Sequence, residues 1–356
     1  MENIIIEDIK KITSEIKGII SVLEGSTVLV TGGSGFIGGY FLDVISFLNE
    51  THFDKKCKII CLDNLIVGDS KRIAALAYKK YLEFINHDIS KPFFYEGQID
   101  YIIHAASIAS PTFYRQYPLE TIDANVLGTR HLLQLALEKK LKSFLFMSSS
   151  EVYGDPTPEN IPTPENYRGN VSFTGSRACY DESKRLGETI CMAFYEKHGI
   201  PVKVARPFNF YGPGLRIDDK RVISDLINNV LHNEPITLYS NGSDTRTFCY
   251  ISDAITGLFK ILLSNFNGEA FNIGNDNQAE VSILELAKII QEISGNSSQI
   301  IHKKSADKNY LKDNPHRRAP DLSKIRKFLQ YQPTIDLKTG LQKSIEWYKH
   351  NYNLCS

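Results

Sequence analysis

The residues best suited to chemistry are Tyr180 and Lys184, in the run Tyr180-Asp181-Glu182-Ser183-Lys184. A spacing of four puts both on one face of the helix that the pattern predicts from Tyr180 to about His198. A phenol with its ordinary pKa of about 10 is a weak base at neutral pH. A neighbouring ammonium favours the phenolate, as a bound cationic cofactor also would, so the pair can take a proton from a substrate hydroxyl. The same pair arises by accident on exposed helices, and it gains weight only from the motifs upstream. The first of these is Gly32-Gly33-Ser34-Gly35-Phe36-Ile37-Gly38, between the β-branched run Thr27 to Thr31 and a helical stretch from Tyr40 to Asn49. Gly32, Gly35 and Gly38, with Phe36 and Ile37 between them, allow a tight turn and bring backbone N–H groups against a pyrophosphate at the helix start. The next strand, Lys58 to Leu62, ends in Asp63-Asn64. A carboxylate there accepts hydrogen bonds from an adenosine ribose and disfavours a 2′-phosphate, so NAD is preferred to NADP.

The elements that must hold these groups alternate between strand and helix. Leu82 to Asn86 leads into His87-Asp88-Ile89, where Asp88 and Ile89 form an adenine-side turn. Tyr101 to Ala105 opens the small segment Ala105, Ala106 and Ser107 beside the cofactor. A helix over Leu119 to Lys139 precedes a strand from Lys142 to Met147, which runs into Ser148-Ser149-Ser150-Glu151; a further strand covers Val202 to Arg206. The Pro-rich stretch Asp155 to Pro164 reads as a surface loop. The series predicts an α/β fold, a Rossmann-type doubly wound parallel sheet with a smaller C-terminal α/β substrate-binding lobe. The expected division is an N-terminal amphipathic helix over 1–24, an NAD-binding domain over 25–205, and a mainly substrate-binding lobe over 206–356 with segments returning to the first. In the N-terminal stretch Ile5, Ile9, Ile12, Ile16, Ile19 and Ile20 recur at helical spacing, which reads as a helix packed on the following domain, or otherwise as a partner-binding arm.

Composition removes other classes. The 356 residues carry 41 basic and 41 acidic side chains, and a net charge of zero gives no general attraction to nucleic acid or to an anionic membrane. Acidic Glu2, Glu7 and Asp8 stand where a secretion signal is basic, and no apolar run approaches bilayer length. Cys57, Cys61, Cys179, Cys191, Cys249 and Cys355 form no Cys-x-x-Cys pair, which points away from zinc and disulfides and towards a reducing cytoplasm. His87 and His104 read as structural histidines, and no cluster has metal spacing. The serine run lacks a Gly-x-Ser-x-Gly elbow and so is not a hydrolase nucleophile. The balanced charge is uneven along the chain: residues 301–350 hold 12 Lys/Arg against 5 Asp/Glu, a basic segment suited to a small polyanion.

Taken together, Asp63-Asn64, Asn86-His87-Asp88, Ser149 to Asp155, Ser176 to Arg185, Arg206 to Pro213, Asp244 to Phe248 and Arg318 to Asp321 resemble the extended short-chain dehydrogenase/reductases of the nucleotide-sugar group. Within that group the similarity is to UDP-glucuronate decarboxylases, or UDP-xylose synthases, from about Thr27 to Tyr348. The resemblance implies a catalytic set of Ser149, Tyr180 and Lys184, with Glu151 and Arg318 serving decarboxylation. It adds Asn125 and Pro207 to the cofactor-binding residues, together with Tyr180 and Lys184. It gives Ser150, Arg177, Asn209, Arg221, Arg246 and Arg318 to the UDP-sugar. A homodimer is implied, through a four-helix interface built from the helices at Leu119 to Lys139 and Tyr180 to His198. So is a place in polysaccharide biosynthesis.

The pair after Ser149 separates the members of the group. A related 4,6-dehydratase carries Asp-Glu there, the Asp protonating a departing hydroxyl; here the pair is Ser150-Glu151, and a serine is a poor acid at pH 7. A simple 4-epimerase has small or hydroxyl residues at both places. Glu151 therefore favours decarboxylation, with the 4-epimerase and the dehydratase as alternatives and an NAD-binding scaffold or sensor as the non-enzyme reading. Gly214-Leu215, where an arginine commonly follows Gly-Pro, and Ile108 to Thr112, where a Pro-rich segment is usual, depart from the decarboxylase pattern, with Arg216 close by.

Overall fold

The structure, a computed structural model, describes residues 2–295, 298–305, 308–309 and 312–352. Seven strands are built from the short β-branched and apolar runs: β1 (Thr27–Thr31), β2 (Lys58–Asp63), β3 (Leu82–Asn86), β4 (Tyr101–His104), β5 (Ser143–Met147), β6 (Val202–Pro207) and β7 (Glu269–Ile273). They form one parallel sheet in the order β7-β6-β5-β4-β1-β2-β3. The central strands β1, β4 and β5 are apolar on both faces because helices cover both. Val28, Val30, Ile59 and Cys61 pack towards Phe41 and Phe259, whereas Leu29, Ile60 and Ile102 pack towards Leu132 and Leu133. Each such side chain contributes about 1.5–3 kcal/mol by leaving water.

The order in which strands are added reverses between β1 and β4, which remain parallel, so a crevice opens beyond their carboxyl ends, the usual place for a ligand in an open α/β sheet. Thr31 pairs with His104 there, which brings Gly32 beside Ala105. His104 is a buried strut: its ring bridges Thr31 Oγ1 at 2.9 Å and Thr129 Oγ1 at 3.1 Å, and burial lowers its pKa to about 3.

Two elements differ from the sequence expectation. The predicted helix over Leu119 to Lys139 is divided into Pro118–Asp123, a widened π-helical turn Ala124–Gly128, and Thr129–Lys139. The wide turn buries Asn125, whose amide donates to Ser183 Oγ at 2.9 Å in the neighbouring helix Ala178–His198. The N-terminal helix stops at Ile16, and a 3-10 turn Ile20–Leu23 follows Gly18. Ile9, Ile12, Ile16, Ile20 and Leu23 join the core, so this segment is packed on the fold. Asp8 accepts from Tyr250 Oη at 2.8 Å, and Lys343 Nζ lies 3.4 Å from it.

Beyond β6 the chain makes small sheets. Thr245–Arg246 sits between Val281–Ser282 and Arg317–Arg318, with Arg318 paired to Arg246 across the parallel edge. β7 then returns to the large sheet beside β6, with Glu269 opposite Lys203. Lys203 is buried; its Nζ donates to Ser143 Oγ at 2.9 Å, and burial lowers its pKa to about 8. Cys57, Cys61, Cys179, Cys191 and Cys249 are free thiols; Cys355 lies outside the described residues.

Candidate active site

Two adjoining cavities occupy the crevice, of about 1070 and 290 Å³, and Ile37, Ala105, Ser107 and Arg221 border both. The glycine turn forms one wall of the larger. Gly32 has φ +72°, and a Cβ there would stand 2.7 Å from the Ala106 backbone; on Gly38 it would stand 2.2 Å from Gly32 O. Only glycine permits this closeness. Gly35 begins the helix Phe36–Thr51 without a side-chain cap, so the first N–H groups of that helix face the cavity. Gly32, Gly35, Phe36, Ile37 and Gly38 all line it, as do Asp63 and Asn64, Asp88 and Ile89, and Ala105, Ala106 and Ser107.

These residues fit NAD. The glycine cradle leaves room for a pyrophosphate, Asp63 stands at the end of β2, and Ser107 Oγ is buried with no hydrogen-bond partner in the protein. Asp63 is held in place by Ser34, whose N–H and hydroxyl donate to it at 3.0 and 2.5 Å. Asn125 does not reach either cavity, because the π-helical turn directs it to Ser183. Arg216, the neighbour of the Gly214-Leu215 departure, borders the larger cavity and pairs with Asp218 at 2.6 Å.

The smaller cavity gathers Ser149, Ser150, Glu151, Tyr180 and Lys184 with Pro207, Asn209, Arg177, Arg221, Arg246 and Arg318. Ser149 ends the segment after β5 and caps the 3-10 turn Ser150–Tyr153, accepting from Glu151 N at 3.2 Å. That turn aims Glu151 inward, between Arg177 at 2.5 Å and Arg318 at 2.6 Å, one guanidinium on each oxygen. Burial alone would raise the Glu151 pKa; Arg177 and Arg318 overcome this and hold it down at about 2. Asp181, buried beside Arg177, goes the other way: burial and then Glu151 push its carboxyl up to about 8. Burial, then the charge of Arg318, lowers Arg246 to about 9, and its guanidinium donates to Thr245 O at 2.7 Å and His316 O at 3.1 Å. Arg221 is paired with Asp219 at 3.0 Å. Asn209 takes a left-handed φ of +47° and donates to Thr247 O at 2.8 Å.

Tyr180 and Lys184 share the expected face, with Nζ 5.7 Å from the phenol ring centroid. Burial raises Tyr180 to about 12, opposed by its hydrogen bond with Ser149, and burial lowers Lys184 to about 7 while Nζ donates to Met147 O at 2.7 Å. For Tyr180, desolvation exceeds the opposing hydrogen bond from Ser149 and the charge of Arg221.

Sequence reasoning missed three supports. Tyr114, from the short helix Pro111–Gln116 that begins at the end of the departing segment, stacks on Tyr180 at 5.1 Å and 12°. Asp181 flanks Arg177. Glu188 pairs with Arg206 at 2.6 Å, and Arg206 donates to Tyr153 Oη at 2.7 Å, locking the Tyr180 helix to β6. Ser110-Pro111 is a helix-start signal that could have found the first; the other two lie on the predicted helix but reveal their partners only in space. Among the described residues no group of three His, Cys, Asp or Glu side chains could hold a metal ion, and no helix is long and apolar enough to cross a membrane.

Residues 28–274 match the NAD dependent epimerase/dehydratase family. The chain is 37% identical over 327 residues to UDP-glucuronic acid decarboxylase 3 of Arabidopsis thaliana, covering 92% of this chain and 90% of that one. It is 36% identical over 330 residues to UDP-glucuronic acid decarboxylase 1 of Xenopus tropicalis, covering 93% and 74%. Among solved structures, a UDP-glucuronic acid 4-epimerase from Bacillus cereus, in complex with UDP-glucuronic acid and NAD, superposes with TM-score 0.74 at 27% identity over 91% of this chain and 99% of its own. A dTDP-glucose 4,6-dehydratase from Streptomyces venezuelae with NAD bound gives 0.79 at 25% identity over 92% and 98%. With its sheet, glycine turn and serine, tyrosine and lysine in place, this chain belongs to the NAD dependent epimerase/dehydratase family, with UDP-glucuronic acid decarboxylases among its relatives.

Proposed function

We propose that the protein converts UDP-glucuronate to UDP-xylose and CO₂ with NAD regenerated in each cycle. The observation that carries this reading is Glu151, an ionised carboxylate fixed between Arg177 and Arg318 in the cavity of Ser149, Tyr180 and Lys184. The decarboxylase relatives support it. Bound NAD supplies reversible hydride acceptance at C4 of the sugar. Tyr180 takes the C4 hydroxyl proton, and Ser149 donates a hydrogen bond to the oxygen as it becomes a carbonyl. Lys184 holds the cofactor's nicotinamide ribose and stabilises negative charge on the phenol. With C4 a ketone, the C5 carboxylate belongs to a β-keto acid. The C5–C6 bond breaks, CO₂ leaves, and the electron pair passes into the C4 carbonyl as an enolate. Arg318 faces the carboxylate, and Glu151 and Arg318 orient the water that returns a proton to C5, because a guanidinium is too weak an acid to donate it. Asn209, Arg221 and Arg246 hold the UDP portion.

The segments after 207, apart from β7 and the helix Ile251–Leu262 that covers one face of the large sheet, act in this reading as the substrate lobe. A homodimer in a reducing cytoplasm, serving polysaccharide assembly, completes it. Exposed Leu119, Leu127 and Leu186 on neighbouring helices support the dimer, and the free thiols suit that compartment. The test is incubation with UDP-glucuronate and NAD, the product read by mass and proton NMR. Loss of CO₂ to UDP-xylose is expected; an unchanged mass with inverted C4 would mean a 4-epimerase. Tyr180→Phe is expected to lower kcat about 10³-fold, and full turnover in that variant would remove Tyr180 from its role.

A further inference from the structure

Arg177 caps the Tyr180 helix at the border of the smaller cavity, where its charge is shared between two carboxylates of the protein and its Nε has no hydrogen-bond partner. One nitrogen meets Glu151 Oε1 at 2.5 Å while Arg318 holds Oε2, and Nε stands 3.9 Å from Asp181 Oδ2. The guanidinium lies 5.9 Å from the Tyr114 ring centroid, and Tyr114 stacks nearly parallel on Tyr180. Arg177, Tyr114, Tyr180, Asp181 and Glu151 are all buried. A single cation thus touches the carboxylate directly and the phenol through one intervening ring.

We propose that Arg177 is a positioning residue that fixes Glu151 by its ion pair and Tyr180 through Tyr114, and that it does not contact the sugar. Proton abstraction at C4 and handling of the C5 carboxylate then share one geometric reference. The inference rests on the decarboxylation reading above. Glu151 is faced by Arg177 and Asp181 from the helix, by Arg318 and Arg246 from the three-stranded sheet, and by Tyr114 and Tyr180. Losing Arg177 leaves Arg318 and Arg246 on one side only, so the Glu151 carboxyl titrates at higher pH and its orientation loosens.

In the full chain with NAD and UDP-glucuronate, Arg177→Met is expected to lower kcat about 100-fold while KM moves less than about threefold. It should also bring into the kcat profile an acid limb between about pH 4 and 6 that the wild type lacks. Arg177→Lys returns the charge without the planar face, and is expected to remove that limb and recover about tenfold in kcat. A KM raised tenfold or more at unchanged kcat would make Arg177 a substrate contact and overturn the proposal, as would wild-type values of both. Should Arg177→Met not fold, Tyr114→Leu carries the test, with kcat expected about tenfold lower and no new acid limb; unchanged kcat overturns it. If the wild type itself releases no CO₂, the decarboxylase reading fails, and the inference is read without substrate. The difference in unfolding free energy between wild type and Arg177→Met should then narrow as pH falls from about 5 to about 2, because the wild type loses its low-pKa Glu151 pair over that range. A constant difference overturns it.

Discussion

At Lys184 two requirements oppose each other, since the ammonium is needed beside the phenol and yet is removed from water. Its folded pKa of about 7 lies below the ordinary 10.5. Between these values the unfolded chain holds a proton that the folded protein does not, so this group makes stability rise with pH across the window. Lys184→Met is therefore expected to abolish turnover yet to be more stable by about 2 kcal/mol at pH 6–7, the difference closing towards pH 10. Urea titrations at three pH values check this. That Tyr180 and Lys184 share a face was legible because a spacing of four sets them on one side of a helix, whereas Ser149 and Glu151 were singled out through the resemblance to the nucleotide-sugar group. The Arg177–Glu151 pair was not, because nothing in the local pattern of either residue encodes its partner.

Elements carry the cofactor requirement. Gly38→Ala would place a methyl 2.2 Å from Gly32 O, on backbone that cannot yield without moving the turn. NAD affinity is expected to fall at least about 100-fold, with about 1–3 kcal/mol lost in stability, measured by calorimetry and thermal unfolding. β1 to β6 were legible to within a residue or two because each is a short apolar run closed by small or polar residues. The break at Ala124–Gly128 was not, since a π-helical turn leaves helical spacing almost unaltered. Nor were the two-residue strands Thr245–Arg246 and Arg317–Arg318, which are too short to show a period. Yet these set Arg246 beside Arg318, and with that the charge of the smaller cavity.

On the scale of the whole molecule, neutrality conceals a local excess, but it is not the basic segment 301–350 that supplies it to the smaller cavity: of that segment's lysines and arginines only Arg318 borders the cavity, beside Arg177, Arg221 and Arg246. If the basic residues around the smaller cavity attract a polyanionic substrate, raising salt from about 25 to 250 mM should raise KM about threefold and leave kcat unchanged, as steady-state assays would show. Asp8 links the N-terminal helix to Tyr250 and Lys343, and burial raises its pKa from 3.8 to about 6. The folded state holds that proton where the unfolded chain releases it, so the wild type loses stability from about pH 4 to 6; Asp8→Asn is expected to gain about 1–2 kcal/mol on it over that span in chemical unfolding. Lys203 has a temporal meaning. Its strand, β6, leaves the ribosome well before β7, and translation of residues 208–268 takes on the order of several seconds. During that interval β6 is a bare edge, and a charged lysine on such an edge opposes pairing with another nascent chain. The burial it suffers later is thus tied to protection it gives early. Lys203→Met should be the more stable native protein and the worse refolder, giving more light scattering on dilution from denaturant.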